Sequence, residues 1–87
     1  MKVSVWDTYV PKKDGSIMHF DIIVSHSLKD ETKIYTFGKD YLQSKEQAGQ
    51  PLTAKECRYC HMEAATAEME KAIAEKGYYI VEMENCK

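Results

Sequence analysis

The stretch VSVWDTYVPKKDGSIMHFDIIVS, residues 3–25, decides the fold. Lys2 to Val10 and Ile17 to Ser25 alternate in character and are rich in Val, Ile, Thr, Trp and Tyr, the residues that suit a pleated, half-buried surface. Between them, Pro11-Lys12-Lys13-Asp14-Gly15-Ser16 carries turn chemistry, so the stretch reads as a β-hairpin. Pairing Val10 with Ile17 sets Val3, Val5, Asp7 and Tyr9 opposite Val24, Ile22, Phe20 and Met18, which gathers apolar residues of both strands on one face and turns Asp7 toward the core. The other face then holds Ser4, Trp6, Thr8 and Val10 beside Ile17, His19, Asp21 and Ile23, a mixed surface that no helix has to cover.

Working outward, Ser27-Leu28-Lys29-Asp30 has the form of a capping box. Ile34, Phe37 and Tyr41 follow at helical spacing, which predicts a helix over residues 29–44. Gly38 within it marks a close approach to the sheet. Residues 44–51 read as a loop, and Thr53-Ala54-Lys55-Glu56 repeats the capping-box pattern. A short helical turn from Thr53 is expected there, followed by extended chain over about 57–62, with a continued helix as the alternative. Thr66 caps a second helix that has Glu68 and Glu70 in its first turn, Gly77 ends it, and Tyr78 to Glu84 forms a last strand. The order β-β-α-β-α-β predicts an α+β protein, a single domain over residues 1–87. Right-handed crossovers then predict a four-stranded mixed sheet with two helices on one face.

Composition narrows the function classes. Eighty-seven residues suffice for one small core. A net charge of −2, with twelve basic residues scattered among fourteen acidic ones, gives no basic stripe, so nucleic acid is not an expected partner. Asp7 arrives before any apolar run of the length a signal peptide or membrane helix needs. A cytoplasmic protein without membrane association is therefore expected. Three cysteines, an odd number, fit reduced thiols rather than a disulfide framework.

Two constellations carry candidate chemistry. Cys57-Arg58-Tyr59-Cys60-His61 contains C-x-x-C-H, whose two thiols and imidazole supply three zinc ligands within five residues, and Cys86 could complete a tetrahedral set. Haem attachment by the same spacing conflicts with the missing export signal and the strand-rich surroundings. A redox dithiol lacks a strand leading directly into the motif. Burial of Cys57 and Cys60 as small apolar groups, with Cys86 frayed at the chain end, is the structural alternative. The second constellation is Trp6, Thr8, His19 and Asp21 on the uncovered hairpin face. His19 and Asp21, two apart on a strand, share a side and could act as an acid–base pair, while Trp6 offers an apolar platform.

Taken together, Val5 to Val10 (VWDTYV), Met18 to Val24 (MHFDIIV), Phe37 to Leu42 (FGKDYL), Cys57 to His61 (CRYCH) and Gly77 to Glu84 (GYYIVEME) resemble a family of short bacterial proteins catalogued as domain of unknown function 2024. The resemblance spans nearly the whole chain. It implies a compact α+β domain and no particular activity, cofactor or catalytic residue. The expected function is therefore a binding or interaction role on the exposed sheet face, toward a protein partner or a second copy of the chain, with no cofactor. Zinc binding through Cys57, Cys60, His61 and Cys86 is the alternative, and an enzyme using His19 and Asp21 is a weaker one.

Overall fold

In the computed structural model of the chain, which describes residues 2–57 and 65–86, the two segments that open the sequence pair as β1 (Val3–Pro11) and β2 (Ile17–Ser25). Their register is one residue from the expected one: Pro11, not Val10, faces Ile17, and Val10 faces Met18. The turn sets this register. Gly15 N–H donates to the Lys12 carbonyl (3.0 Å), Lys12 N–H donates to the Ser16 carbonyl (2.8 Å), and Gly15 takes a left-handed φ of 92°. That is the three-residue hairpin loop in which glycine occupies the left-handed position, and it makes Lys12 and Ser16 partners. Asp14 Oδ1 accepts from both the backbone N–H and the hydroxyl of Ser16, which fixes the loop further.

A one-residue slip transfers every side chain of one strand to the other face. Trp6 and Val10 accordingly join Met18, Phe20, Ile22 and Val24 in one core cluster, with Thr8 buried on the same side, and the expected exposure of Trp6 and Thr8 is corrected: both are buried. Thr8 tolerates full burial because its hydroxyl donates to the Trp6 carbonyl at 3.1 Å. Asp7, expected in the core, lies on the opposite side beside Asp21.

The remaining elements are α1 (Glu31–Ser44), β3 (Thr53–Glu56), α2 (Ala67–Lys76) and β4 (Tyr79–Glu84), giving β-β-α-β-α-β. The sheet runs β3-β1-β2-β4. Every neighbouring pair is antiparallel, so the expected mixed sheet is corrected. β2 and β3 do run parallel, but β1 lies between them. The helices also differ from expectation, for α1 packs Ile34, Tyr41 and Leu42 on the Trp6–Phe20 face, whereas α2 packs Met69 against Val3, Val5 and Ile23 on the other. The crossover rule governs parallel strands joined through a helix, as β2 and β3 are. β3 and β4 are antiparallel and occupy opposite edges, so the rule leaves α2 free to cover the second apolar patch.

Local signals explain most boundaries. Asp30, not Ser27, is the N-cap of α1, its carboxylate accepting from Thr32 N–H at 3.0 Å. Gly38 meets the sheet side as expected: a Cβ there would stand 3.1 Å from Leu52 and 3.4 Å from Ile22. Thr66 caps α2 through Met69 N–H, and Gly77, at φ 94°, ends it. Thr53 begins a strand instead of a helical turn, because residues 53–56 pair with Trp6 to Tyr9 of β1.

Candidate functional site

On the α2 side of the sheet, α2 covers only the end formed by Val3, Val5 and Ile23. Further along, Asp7 pairs with Asp21, and Tyr9 with His19, on a half-face that no described element covers. Asp7 is 39% exposed, whereas His19 and Asp21 are 18% and 17% exposed, so the cluster is sunk between its neighbours. The His19 Nε2 lies 3.7 Å from Asp7 Oδ1 and 3.8 Å from Asp21 Oδ1. Those separations favour charge attraction but exceed hydrogen-bond length. Tyr9 lies flat on the imidazole, with ring centroids 4.3 Å apart and planes 9° from parallel.

Two polar atoms here stand out. His19 Nε2 and Asp21 Oδ1 are shut off from water and have no hydrogen-bond partner among the described residues. Burial and the adjacent Asp7 carboxyl push the Asp21 pKa up to about 6, an effect that His19 only partly offsets. The local arrangement is thus unfavourable to the ionised carboxylate of Asp21. Beside it, an open groove of about 310 Å³ is lined by Asp7, Tyr9, Thr53 and Lys55. An apolar groove of about 300 Å³ adjoins through Tyr9 and Thr53 and reaches Ile17 and Leu52.

The expected surface is therefore split. His19 and Asp21 are together, as their spacing in β2 implies, but Trp6 and Thr8 face α1 and are replaced by Asp7 and Tyr9. The signal that could have found them is Gly15 at the third loop position, which fixes the register and places odd-numbered residues of both strands on one side.

The cysteine constellation does not assemble as a set of four. Cys57 is half-buried directly after β3 and is disulfide-bonded, which corrects the expectation of a reduced thiol there; its N–H donates to the Val5 carbonyl at 2.8 Å, and it packs with the α2-side cluster. Cys86 belongs to the α1-side cluster beyond the opposite edge strand. It is buried, not frayed: its thiol sits 3.3 Å from the carbonyls of His19 and Glu84, and Asn85 Nδ2 ties the segment to the Ile17 carbonyl at 2.7 Å. Cys86 thus stands across the sheet from Cys57 and does not complete a site with it. Cys60 and His61, together with the expected extended run over 57–62 beyond Cys57, lie outside the described residues.

Fold and site together define a small α+β domain in which the described residues leave one half of one sheet face open and polar. The chain belongs to the family described as Domain of unknown function (DUF2024), which matches residues 1–83. It is similar to protein NE1680 from Nitrosomonas europaea, whose structure was determined by NMR. The two share 42% sequence identity over 100% of each chain, with a TM-score of 0.77. No curated protein matches the chain. Among the described residues, no helix is long and apolar enough to cross a membrane.

Proposed function

We propose that this domain acts in the cytosol as a binding protein, and that its binding surface is the open half-face around Asp7, Tyr9, His19 and Asp21. The observation that carries the reading is the unresolved polar cluster: two carboxylates and an imidazole converge, yet His19 Nε2 and Asp21 Oδ1 remain without partners among the described residues. Groups placed for stability are normally satisfied. Groups placed for a ligand commonly weaken the free protein, and neutralising them then stabilises it.

The test follows from that contrast. Asp7→Asn and Asp21→Asn are each expected to raise the thermal midpoint of the ligand-free protein at pH 7, by several degrees for a gain on the order of 1 kcal/mol in a domain of this size. A fall in the midpoint of both variants would show the cluster to be structural and remove the reading.

A partner protein, or a second copy of the chain, is the alternative occupant. Tyr9 and Ile17, 48% and 50% exposed, flank the polar cluster, and aromatic and apolar groups beside polar ones are the usual make-up of an interface. Light scattering distinguishes the self-association case: Tyr9→Ala would abolish any concentration-dependent dimer if this face forms it.

A further inference from the structure

Asp7 and Asp21 are direct cross-strand partners, and His19 stands two residues from Asp21 on the same side of β2. All three side chains therefore project from the paired central strands, where ligand positions are held more firmly than on loops. We propose that Asp7, His19 and Asp21 form a site for a single divalent transition-metal ion, bound through one oxygen of each aspartate and through His19 Nε2. The inference rests on reading the open half-face as the binding surface and adds the chemical class of its ligand.

Three observations support it. The Nε2 to carboxylate separations of 3.7 and 3.8 Å are too long for hydrogen bonds. They lie near the roughly 3.4 Å that separates two ligand atoms on a tetrahedral ion with bonds of about 2.1 Å. The ligand atoms of all three residues fall within 4.8 Å of one another, so small side-chain rotations bring them to one ion. Independently, His19 Nε2 and Asp21 Oδ1 are hidden from water and unpartnered among the described residues, as donor atoms awaiting an ion would be. The Tyr9 ring, stacked at 4.3 Å, covers one face of the imidazole.

The donor set narrows the ion. One imidazole nitrogen with two carboxylates suits zinc and its first-row neighbours, whereas calcium takes six to eight oxygens and magnesium an oxygen-rich octahedron. Lys55, the cross-strand neighbour of Asp7, is exposed, so its ammonium can turn to water when an ion enters. Three protein ligands leave a coordination position open.

The experiment uses Co²⁺ as the probe, titrated into the full chain carrying Cys57→Ser and Cys60→Ser so that the sulfurs of the C-x-x-C motif cannot contribute, and followed by visible absorption. One equivalent is expected to bind. Adding Asp7→Asn, His19→Gln or Asp21→Asn to that background is expected to weaken binding by more than about tenfold each. Failure of Co²⁺ to bind, or binding that survives all three substitutions, overturns the metal site. Circular dichroism confirms that each variant is folded. If the serine variant does not fold, the wild-type chain decides instead: d–d bands without a thiolate charge-transfer band support the site, and a thiolate band unchanged by the three substitutions overturns it. The binding-surface reading fails separately, through the metal-free thermal midpoints of Asp7→Asn and Asp21→Asn.

Discussion

Asp21 is where the chemistry of single residues is most exposed to measurement. Its folded pKa is raised to about 6 by burial and by Asp7, against an ordinary 3.8. The folded state therefore holds this proton more tightly than the unfolded state between about pH 4 and pH 6, and the linkage relation makes stability fall as pH rises through that window. Below it the carboxyl is protonated in both states, and the penalty vanishes; above it the penalty is complete. Allowing for water reaching this face, the loss is on the order of 1 kcal/mol. Chemical denaturation of the metal-free protein at pH 4 and pH 6.5 should show the decline, and Asp21→Asn should flatten it. A decline of equal size in the variant would assign the effect to other groups. At this scale the sequence was half legible. The i, i+2 spacing of His19 and Asp21 on β2 showed that they share a side, but Asp7 and Tyr9 could be added only by knowing the register. That register was set by the hydrogen bonds of Gly15 and Ser16 rather than by the hydrophobic pattern, because both pairings bury comparable apolar sets.

Among the elements, those with local punctuation were legible and those with long-range causes were not. α2 starts at the Thr66 cap and stops at Gly77, both read directly from residue type. β3 could not be read this way, because its TAKE sequence favours a helix start and only pairing with β1 overrides it. Gly77 shows how tightly one ending is built. Besides its left-handed φ, a Cβ at this position would stand 2.9 Å from the Phe37 ring. That ring also stacks on Tyr78 with centroids 4.8 Å apart, so the end of α2, the middle of α1 and the start of β4 meet at one point. Tyr78 then donates to Asp40 of α1, and together with burial this bond pushes the phenol pKa up to about 12. Gly77→Ala must accept the left-handed strain, about 1 to 2 kcal/mol, and displace Phe37 as well. We expect a loss of at least about 2 kcal/mol in urea denaturation. A loss below about 0.5 kcal/mol would mean that α2 ends differently in solution.

For the whole molecule, one sheet serves two cores of unequal size. Among the described residues, the α1 side gathers twelve buried residues, including the fully buried Phe20, Ile22 and Ile34, while the α2 side gathers four: Val3, Val5, Ile23 and Met69. The difference follows from the alternation of the hairpin, since on the even-numbered side all four residues of β2 and Trp6 and Val10 of β1 are apolar, whereas the odd-numbered side turns polar beyond Val5 and Ile23. α2 is thereby held by a small patch at one end of its face, and the open polar half lies next to the least anchored helix. Local opening free energies follow buried apolar contact, so the amides of α2 should exchange with solvent through partial openings, while those in the middle of β1 and β2 exchange only on global unfolding. Met69→Ala sharpens the test. Removing the one fully packed side chain of α2 costs about 2 kcal/mol where the cavity can partly collapse. That cost should appear in hydrogen exchange as faster α2 amides, with protection at Trp6, Thr8, Phe20 and Ile22 nearly unchanged relative to their global limit. If all these amides instead accelerated by the same factor, the two faces would unfold as one cooperative unit, and the hierarchy inferred from the unequal cores would be wrong.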